Sequence, residues 1–257
     1  MVRFFAAPSD VSGGSIRLGA EDAAHIRSLR LRPDEEFIVC DGLGLDYVCR
    51  LGGAPVSSGG AGPAGRGGAG ALAVIVESRP SAGEPSVSCT VFIALAKGDR
   101  LEYAVQKSVE LGAHGIVLFP SARCVSIPGD TSKRTARLQR IALEAAKQSG
   151  RGRVPVVSAV DSFAGALELA NVGLSLFFYE GEKEQDLGQV LRSLSGDSIS
   201  GVSISLMTGP EGGFEPHEAG MAISAGMLTV SLGPRILRCE TAPVAALAAV
   251  MYHTGNF

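Results

Sequence analysis

Short apolar segments that alternate with polar residues characterise the first eighty residues of the chain. Four of them are rich in β-branched or aromatic residues and are separated by turn residues, at residues 16–18, 36–40, 47–51 and 72–76. One helical pattern, at about residues 21–31, interrupts them. This arrangement predicts a small β-barrel or sandwich of about eighty residues.

From residue 87 onward the pattern changes to longer apolar runs that alternate with helical segments. The runs lie at residues 87–96, 115–120, 154–159, 174–179, 204–207 and 228–232. Near-continuous apolar strands separated by helices predict an α/β fold with a parallel sheet covered on both faces. Ligands bind such sheets at the carboxyl ends of the strands. With residues 79–85 as a link, we expect one domain at residues 1–80 and a second at 81–257.

Two helices can be predicted in more detail. Asp99 is placed to cap the first, with Glu102 as its reciprocal partner, and Gly112 suits the position after the last turn. The second helix covers about residues 132–149, and five of its charged residues fall on one side: Lys133, Arg137, Arg140, Glu144 and Lys147.

Composition narrows the class of protein. Hydrophobic residues make up 46% of the 257 residues and charged residues 19%, which excludes a disordered chain, a collagen-like fibre and a small disulfide scaffold. No apolar run approaches the roughly 20 residues that span a bilayer, and the start of the chain does not read as a signal peptide. Five cysteines without regular spacing indicate free thiols, and so we expect a cytoplasmic protein.

The charge is unevenly distributed. The formal net charge is −3, yet residues 123–153 contain eight basic and two acidic residues. Such a patch is typical of proteins that contact phosphates. The helix alone is equally compatible with a solvated face, but the flexible basic loop that follows, Gly150-Arg151-Gly152-Arg153, favours contact with RNA or DNA.

Glycine dominates residues 52–70, and this run has too little apolar mass to pack. It ends in a formal GxGxxG match at residues 65–70. A dinucleotide fingerprint needs a strand before it and a helix after it, whereas a strand-like segment follows here. We therefore interpret residues 52–70 as a loop between two strands.

Two loops near the carboxyl end carry the most chemistry. An apolar strand enters Thr208-Gly209-Pro210-Glu211-Gly212-Gly213, after which Pro216 and Glu218 mark the start of a helix. A second strand enters the Gly-Pro turn at residues 233–234, which an alanine-rich helix follows. Together the loops could enclose a flat heterocycle through main-chain groups and apolar contacts. For the first loop, a tight turn without a ligand is the alternative.

These motifs make a family resemblance visible. The strings GPEGGF and LGPRILRCETA, with ALAKGDRLEYAVQKSVELGAHG and RIALEAAKQSGRGRVPVV, resemble the bacterial 16S rRNA uridine-N3 methyltransferases (the RsmE family) of the SPOUT class. The resemblance runs essentially end to end. It implies a C-terminal domain with a trefoil knot that binds S-adenosylmethionine, a PUA-like N-terminal barrel that helps to hold RNA, a homodimer, and the small ribosomal subunit as partner.

By position, the resemblance also implies which residues bind the methyl donor. They are Thr208, Gly209, Pro210, Glu211, Gly212, Gly213, Leu232, Gly233, Ile236, Leu237, Thr241 and Ala242. Two residues depart from the family pattern. Cys239 stands where threonine is usual, and Pro243 stands where a helix-favouring residue is common, which is tolerable in the first turn of a helix.

Methylation of uridine at N3 requires removal of a proton whose pKa lies well above neutral, so the protein must supply alignment, charge stabilisation and a proton acceptor. We expect Arg238 to stabilise charge on the uracil oxygens, and Glu211 or Glu240 to act as the base or as an orienting group. The alternative is that both carboxylates are structural. Burial is favoured over a nucleophilic role for Cys124 and Cys239. No histidine has ligand spacing, and so we expect no metal site.

Arginine suits phosphate forks and base stacking. The candidates for RNA contact are Arg3, Arg27, Arg30, Arg32, Arg123, Arg137, Arg140, Arg151 and Arg153. Three functions stay open at this point: a uridine-N3 rRNA methyltransferase, another RNA methyltransferase of the same class such as a ribose 2′-O enzyme, and a non-catalytic RNA-binding relative.

Overall fold

The chain folds into two compact units. The computed structural model describes residues 1–53, 70–124, 131–193 and 201–257. The first unit comprises Met1–Glu84 and Lys147–Val154, and the second Pro85–Ala146 and Pro155–Phe257. A single boundary between residues 80 and 81 does not account for residues 147–154, which belong to the first unit. Residues 54–69, most of the predicted glycine-rich loop, lie outside the described residues.

In its described residues, the first unit is built on one six-stranded sheet and one α-helix that lies wholly within the unit, α1 (Ala20–Leu29). Its strands are β1 (Arg3–Phe5), β2 (Val11–Ser12), β3 (Ser15–Leu18), β4 (Phe37–Cys40), β5 (Leu45–Leu51) and β6 (Ala71–Pro80). The strand order is β1-β4-β5-β6-β3-β2, with β1 parallel to β4 and the other pairs antiparallel. All four predicted strands are present, which confirms the small β domain predicted for this part of the chain. β1 and β2 are too short for a period-2 pattern to reveal them.

The core of this unit lies on the face of the sheet that α1 covers. Phe4 on β1 and Phe37 on β4 meet edge to face, with ring centroids 5.7 Å apart. Ile16 and Ile26 are buried with them. The aromatic pair explains why the apolar residues near the start of the chain belong to the sheet rather than to a loose end.

The second unit is an α/β domain with a six-stranded sheet in which every pair is parallel. Its strands are β7 (Ser88–Ala94), β8 (Gly115–Phe119), β9 (Val156–Ala159), β10 (Leu174–Phe178), β11 (Ser203–Thr208) and β12 (Leu228–Val230). Its helices are α2 (Arg100–Glu110), α3 (Thr131–Ser149), α4 (Phe163–Ala170), α5 (Leu187–Ser193), α6 (Pro216–Ser224) and α7 (Thr241–His253). The order β12-β10-β11-β7-β8-β9 makes β10, β11 and β12 neighbours. The fold class predicted from the apolar runs is thus confirmed.

Both faces of this sheet are buried, as the unbroken apolar runs predict. Phe92, Phe119, Phe177 and Met207 pack on one face with α4 and α6. The neighbours of these residues along the strands point to the opposite face, because side chains alternate, and they are also buried: Val91, Ile93, Leu118, Leu176 and Leu206. Burial on both faces leaves the strand ends as the place where polar groups gather.

The predicted carboxyl end of helix α2 is confirmed, whereas the capping predicted at its amino end is not. Gly112 follows the last turn with φ +97°, as expected for the residue that ends a helix. Asp99 precedes the first turn, but its side chain makes no capping hydrogen bond, so the predicted capping box is wrong. Its expected partner Glu102 is used elsewhere, since its Oε1 lies 2.7 Å from Nη2 of Arg137 on α3.

Candidate functional site

A cleft of about 960 Å³ lies at the carboxyl edge of the sheet of the second unit, where β10, β11 and β12 end side by side. The residues that follow these three strands line it, together with Arg100 at the start of α2. Parallel strands place their carboxyl ends on one edge, so three loops far apart in sequence meet there. The predicted pocket residues Thr208–Gly213, Leu232, Gly233, Ile236, Leu237 and Ala242 all line this cleft. Thr241 is exposed at the start of α7.

The loop after β11 is tightly built. Thr208 ends the strand fully buried, and its Oγ1 donates a hydrogen bond to the Phe92 carbonyl at 3.3 Å. The Gly213 amide closes a turn on the Pro210 carbonyl at 3.0 Å. Gly213 has φ +67°, and a Cβ there would collide with the carboxylate of Glu180. The left-handed backbone favours glycine at this position, and the glycine brings the loop backbone close to that carboxylate.

The start of α6 fixes the far end of the same loop. Pro216 is the first residue of the helix, and Glu215 and Glu218 form a capping box. Glu218 is buried. Its Oε2 accepts the hydrogen bond of the capping box, and its Oε1 accepts one from the Ala122 amide at 2.9 Å. The sequence pattern correctly marked this helix start.

Two arginines from other parts of the second unit, Arg100 at the start of α2 and Arg123, bind residues 211–215. The Nε atom of Arg123 lies 2.7 Å from Oε1 of Glu215, and its Nη1 donates a hydrogen bond to the Gly212 carbonyl at 3.0 Å. Arg100 pairs through Nη1 with Oε1 of Glu211. Arg123 was expected to contact RNA, and the structure instead places its side chain against the loop. Its hydrogen bond to Glu215 holds the pKa of Arg123 above the usual value despite partial desolvation.

Glu211 is held in its ionised form. Burial raises the pKa of this carboxyl group, but the hydrogen bond from the Lys97 amide at 3.0 Å and the pairing with Arg100 outweigh burial, so the pKa lies below the ordinary value. A carboxylate stabilised in this way is a poor proton acceptor. The geometry therefore suits Glu211 to orienting the loop.

The loop after β12 is more open. Gly233 has φ +99° with free space around it, and Ile236 is 91% exposed. Arg238 is exposed, and within the described part of the chain its guanidinium has no recorded ion pair or hydrogen bond. Its carbonyl accepts hydrogen bonds from the amides of Thr241 and Ala242, both at 2.9 Å, which begins α7. Pro243 lies in the first turn of α7, where proline is tolerated.

Cys239 and Glu240 sit between the open loop and α7. Cys239 is buried, and its thiol donates to Oε2 of Glu240 at 3.2 Å. Burial and that hydrogen bond raise the pKa of the Cys239 thiol to about 12, so it is protonated at neutral pH. This supports burial over a nucleophilic role. The same Glu240 oxygen lies 3.9 Å from Nε of Arg100.

The sequence interpretation missed the third loop, which follows β10. Glu180, Glu182 and Lys183 line the cleft. Glu182 accepts hydrogen bonds from Thr229 Oγ1 at 2.7 Å and from the Glu184 amide at 2.8 Å, which lower its pKa. This loop has no glycine-proline signature. The available signal was an abrupt change from an apolar strand to charged residues at the same edge of the sheet.

The arginines expected to bind RNA fall into two groups. Arg3 is half-buried and Arg151 is buried in the first unit. Arg3 forms a forked pair with Asp46 at 2.7 and 2.9 Å, and Arg151, 2% exposed, lies 2.7 Å from Glu84. Their guanidinium groups are thus engaged inside the protein rather than presented to a ligand.

The remaining candidates are nearer the solvent. Arg27, Arg30, Arg32, Arg137 and Arg140 are exposed. Arg30 ends α1 with φ 54°, Arg137 pairs with Glu102, and Arg153 is half-buried and donates to the Leu43 carbonyl at 2.9 Å.

Neither a metal cluster nor a membrane helix is found in the described ranges. Across residues 1–53, 70–124, 131–193 and 201–257, no group of three or more His, Cys, Asp or Glu side chains could hold a metal ion. In the same ranges no helix is long and apolar enough to cross a membrane.

Comparison with known proteins gives consistent matches to both units. A family model described as an RNA methyltransferase domain matches residues 83–251, and one described as an RNA methyltransferase PUA domain matches residues 18–55. Ribosomal RNA small subunit methyltransferase E of Bacillus subtilis is 31% identical over 91% of this chain and 88% of its own length. The Mycobacterium bovis protein of the same name is 32% identical over 89% of this chain and 81% of its own.

A solved structure extends the match to three dimensions. Ribosomal RNA small subunit methyltransferase E from Neisseria gonorrhoeae, crystallised with S-adenosylmethionine, is 32% identical, with a TM-score of 0.78. The alignment covers 98% of this chain and 97% of that one.

Proposed function

Because this chain belongs to the ribosomal RNA small subunit methyltransferase E family, we propose that it transfers a methyl group from S-adenosylmethionine to N3 of a uridine in 16S rRNA. The observation that carries the proposal is the cleft at the carboxyl edge of the second unit, where loops after three neighbouring parallel strands meet. Such an edge is where α/β sheets bind their ligands.

The residues of the cleft fit S-adenosylmethionine. A volume of about 960 Å³ is at the upper end of the roughly 300–1,000 Å³ usual for small-molecule sites. Leu232, Ile236 and Leu237 offer apolar contacts for a flat ring, while Glu180 and Glu182 offer negative charge for a cation. The left-handed φ of Gly213 favours glycine there and lets the loop backbone approach the Glu180 carboxylate closely, as a backbone cradle requires. When bound, the donor supplies a methyl group already activated by its sulfonium.

The chain's own residues then have to hold the base and manage its proton. Arg238 is exposed in the cleft and retains its donors, which suits it to stabilise negative charge on the uracil oxygens. Glu240 stands two residues away at the start of α7, which makes it the candidate proton acceptor. Glu211 keeps an orienting role, because its pKa is lowered and Arg100 holds it.

RNA contact is proposed for the arginines that face solvent. These are Arg27, Arg30 and Arg32 in the first unit and Arg137 and Arg140 in the second, with Arg153 at a half-buried position. Arg3 and Arg151 leave the set because their guanidinium groups are paired within the first unit. Arg123 is exposed and leaves the set because Glu215 and the Gly212 carbonyl hold its guanidinium. The remaining arginines predict RNA binding that weakens steeply with salt.

The family also leads us to expect a trefoil knot, a homodimer and a cytoplasmic location beside the small ribosomal subunit. Support for a dimer comes from α7, which is apolar along its length and leaves Tyr252 78% exposed. An exposed aromatic beside a small-residue helix face is typical of a surface that packs against another chain.

Mass spectrometry of 16S rRNA tests the proposal. RNA from a strain lacking the gene is expected to lose one N3-methyluridine, which returns with the wild-type gene and not with an Arg238→Ala gene. Loss of a ribose 2′-O-methyl group instead, or no loss at all, would refute the proposed reaction. Calorimetric titration with S-adenosylmethionine separates a methyltransferase from a non-catalytic RNA-binding relative.

A further inference from the structure

The residue that joins the loops of the cleft belongs to none of them. Arg100 is the first residue of α2, beyond the end of β7, and its half-exposed side chain lines the cleft. Nothing in the sequence pattern singled it out, because a basic residue at the start of a helix is ordinary on a protein surface.

Arg100 contacts a carboxylate from each of two loops. Its Nη1 pairs with Oε1 of Glu211, in the loop after β11, and its Nε lies 3.9 Å from Oε2 of Glu240, which precedes α7. A guanidinium is planar and has five donors, so one arginine can serve two acceptors that approach from different sides.

Both carboxylates that Arg100 approaches also accept other hydrogen bonds. The Lys97 amide donates to the same Glu211 oxygen at 3.0 Å, and the Cys239 thiol donates to the same Glu240 oxygen at 3.2 Å. Each carboxylate is therefore anchored to its own surroundings and also to Arg100. Without the guanidinium, the two carboxylates would lose the cation that both of them approach.

We propose that Arg100 is a positioning residue, which holds the Glu211 loop and the Glu240 loop in register so that S-adenosylmethionine meets a preformed cradle. This inference rests on the proposed function, since it concerns the same cleft. Arg100 acts through the two carboxylates and makes no contact of its own with the ligand's methionine carboxylate.

Calorimetric titration with two ligands tests this role. S-adenosylmethionine carries a methionine carboxylate, whereas 5′-methylthioadenosine keeps the nucleoside and lacks the amino acid. If Arg100 positions the loops, Arg100→Met is expected to weaken both ligands by the same factor, about tenfold. If the loss is confined to S-adenosylmethionine, Arg100 binds the carboxylate directly and the inference is wrong.

A double-mutant cycle supplies the second readout. In a Glu240→Gln background the same Arg100→Met change is expected to cost much less affinity, because half of the bridge is already gone. Equal losses in both backgrounds would contradict a role through Glu240. Arg100→Lys is expected to recover part of the affinity, since a lysine keeps the charge but not the fork.

Arg50→Met is the matched control. Arg50 forms an exposed ion pair with Glu36 at 2.7 Å in the first unit and does not line the cleft. It is expected to leave both affinities unchanged. Thermal unfolding followed by circular dichroism checks that each variant folds, and Arg100→Lys carries the test if Arg100→Met does not.

The two proposals fail in different ways. A wild-type protein that does not bind S-adenosylmethionine refutes the proposed function and this inference with it. A wild-type protein that binds the ligand, beside Arg100 variants that bind it equally well, refutes only the role of Arg100.

Discussion

Two regions of the chain gather arginine side chains and use them in opposite ways. In the first unit, the half-buried Arg3 pairs with the buried Asp46, and the buried Arg151 pairs with Glu84. In the cleft of the second unit, Arg238 is exposed and its donors are open to a ligand. A buried arginine needs its partner because an unpaired charge away from water is costly, whereas an exposed one keeps its hydrogen-bonding capacity for a substrate.

The buried region is the more elaborate of the two. The Asp46 carboxylate accepts hydrogen bonds from Nη1 and Nη2 of Arg3, and also from the Ser81 hydroxyl and the Cys40 thiol. Burial raises the pKa of Cys40 to about 12, so that thiol is a donor here and not a reactive group. The cluster therefore joins β1, β4, β5 and the end of β6 within one unit.

The largest expected effect comes from removing the buried carboxylate. Asp46→Ala removes the buried carboxylate that neutralises Arg3, and breaking a buried pair in this way costs about 3–5 kcal/mol. We expect the free energy of unfolding to fall by that amount in urea titrations followed by far-UV circular dichroism. The exposed Arg50–Glu36 pair is the control, since Glu36→Ala is expected to cost about 0–1 kcal/mol. Equal losses would mean that burial does not distinguish the two pairs.

The matching change in the cleft is expected to affect catalysis instead. Under the proposed mechanism, Arg238→Ala removes donors that stabilise charge in the transition state, and we expect kcat to fall by about 100-fold or more. The free energy of unfolding and the affinity for S-adenosylmethionine are expected to stay near wild type. Transfer of a labelled methyl group to small-subunit RNA measures kcat, and titration calorimetry measures the affinity.

Arg192→Ala is the control for that experiment. Arg192 is an exposed residue of α5 outside the residues that line the cleft, and its loss is expected to leave kcat unchanged. An Arg238→Ala variant that loses affinity for the donor as strongly as it loses rate would contradict the assigned role.

The contrast between the two regions also shows what the sequence could predict. Periodicity located the strands of the second unit, because strands buried on both faces read as unbroken apolar runs. Glycine and proline at strand ends marked the loops after β11 and β12. The loop after β10 escaped notice since its charged residues carry no turn signature.

The fate of individual arginines could not be predicted in the same way. Local charge identified a basic segment around Arg151, but its partner Glu84 is 67 residues away in the chain, and Arg3 and Asp46 are 43 apart. Pairing across such distances depends on the tertiary fold, which no local pattern encodes. Asp99 shows the same limit on a smaller scale, because Glu102 prefers Arg137 to the helix end.

The smallest effect concerns pH and sharpens the comparison further. Burial raises the pKa of Asp46, but hydrogen bonds from Arg3, Ser81 and Cys40 outweigh it, so the pKa lies below the ordinary value. A carboxyl group with a lowered folded-state pKa contributes stability above its unfolded pKa of about 3.9 and loses that contribution as the pH falls. We therefore expect the stability advantage of wild type over Asp46→Asn to be full at pH 6 and to shrink below about pH 4.

Urea unfolding at several pH values between about 6 and 3 measures this difference. Asp34→Asn is the control, since Asp34 is exposed and lies 3.9 Å from Arg32 in a loose surface pair. Its difference from wild type is expected to stay small at every pH. A gap between wild type and Asp46→Asn that stays constant down to pH 3 would show that the carboxylate charge does not stabilise the buried cluster. The cluster would then depend on shape and hydrogen bonding alone, and the contrast between a charge used for folding and a charge left exposed in the cleft would lose its electrostatic basis.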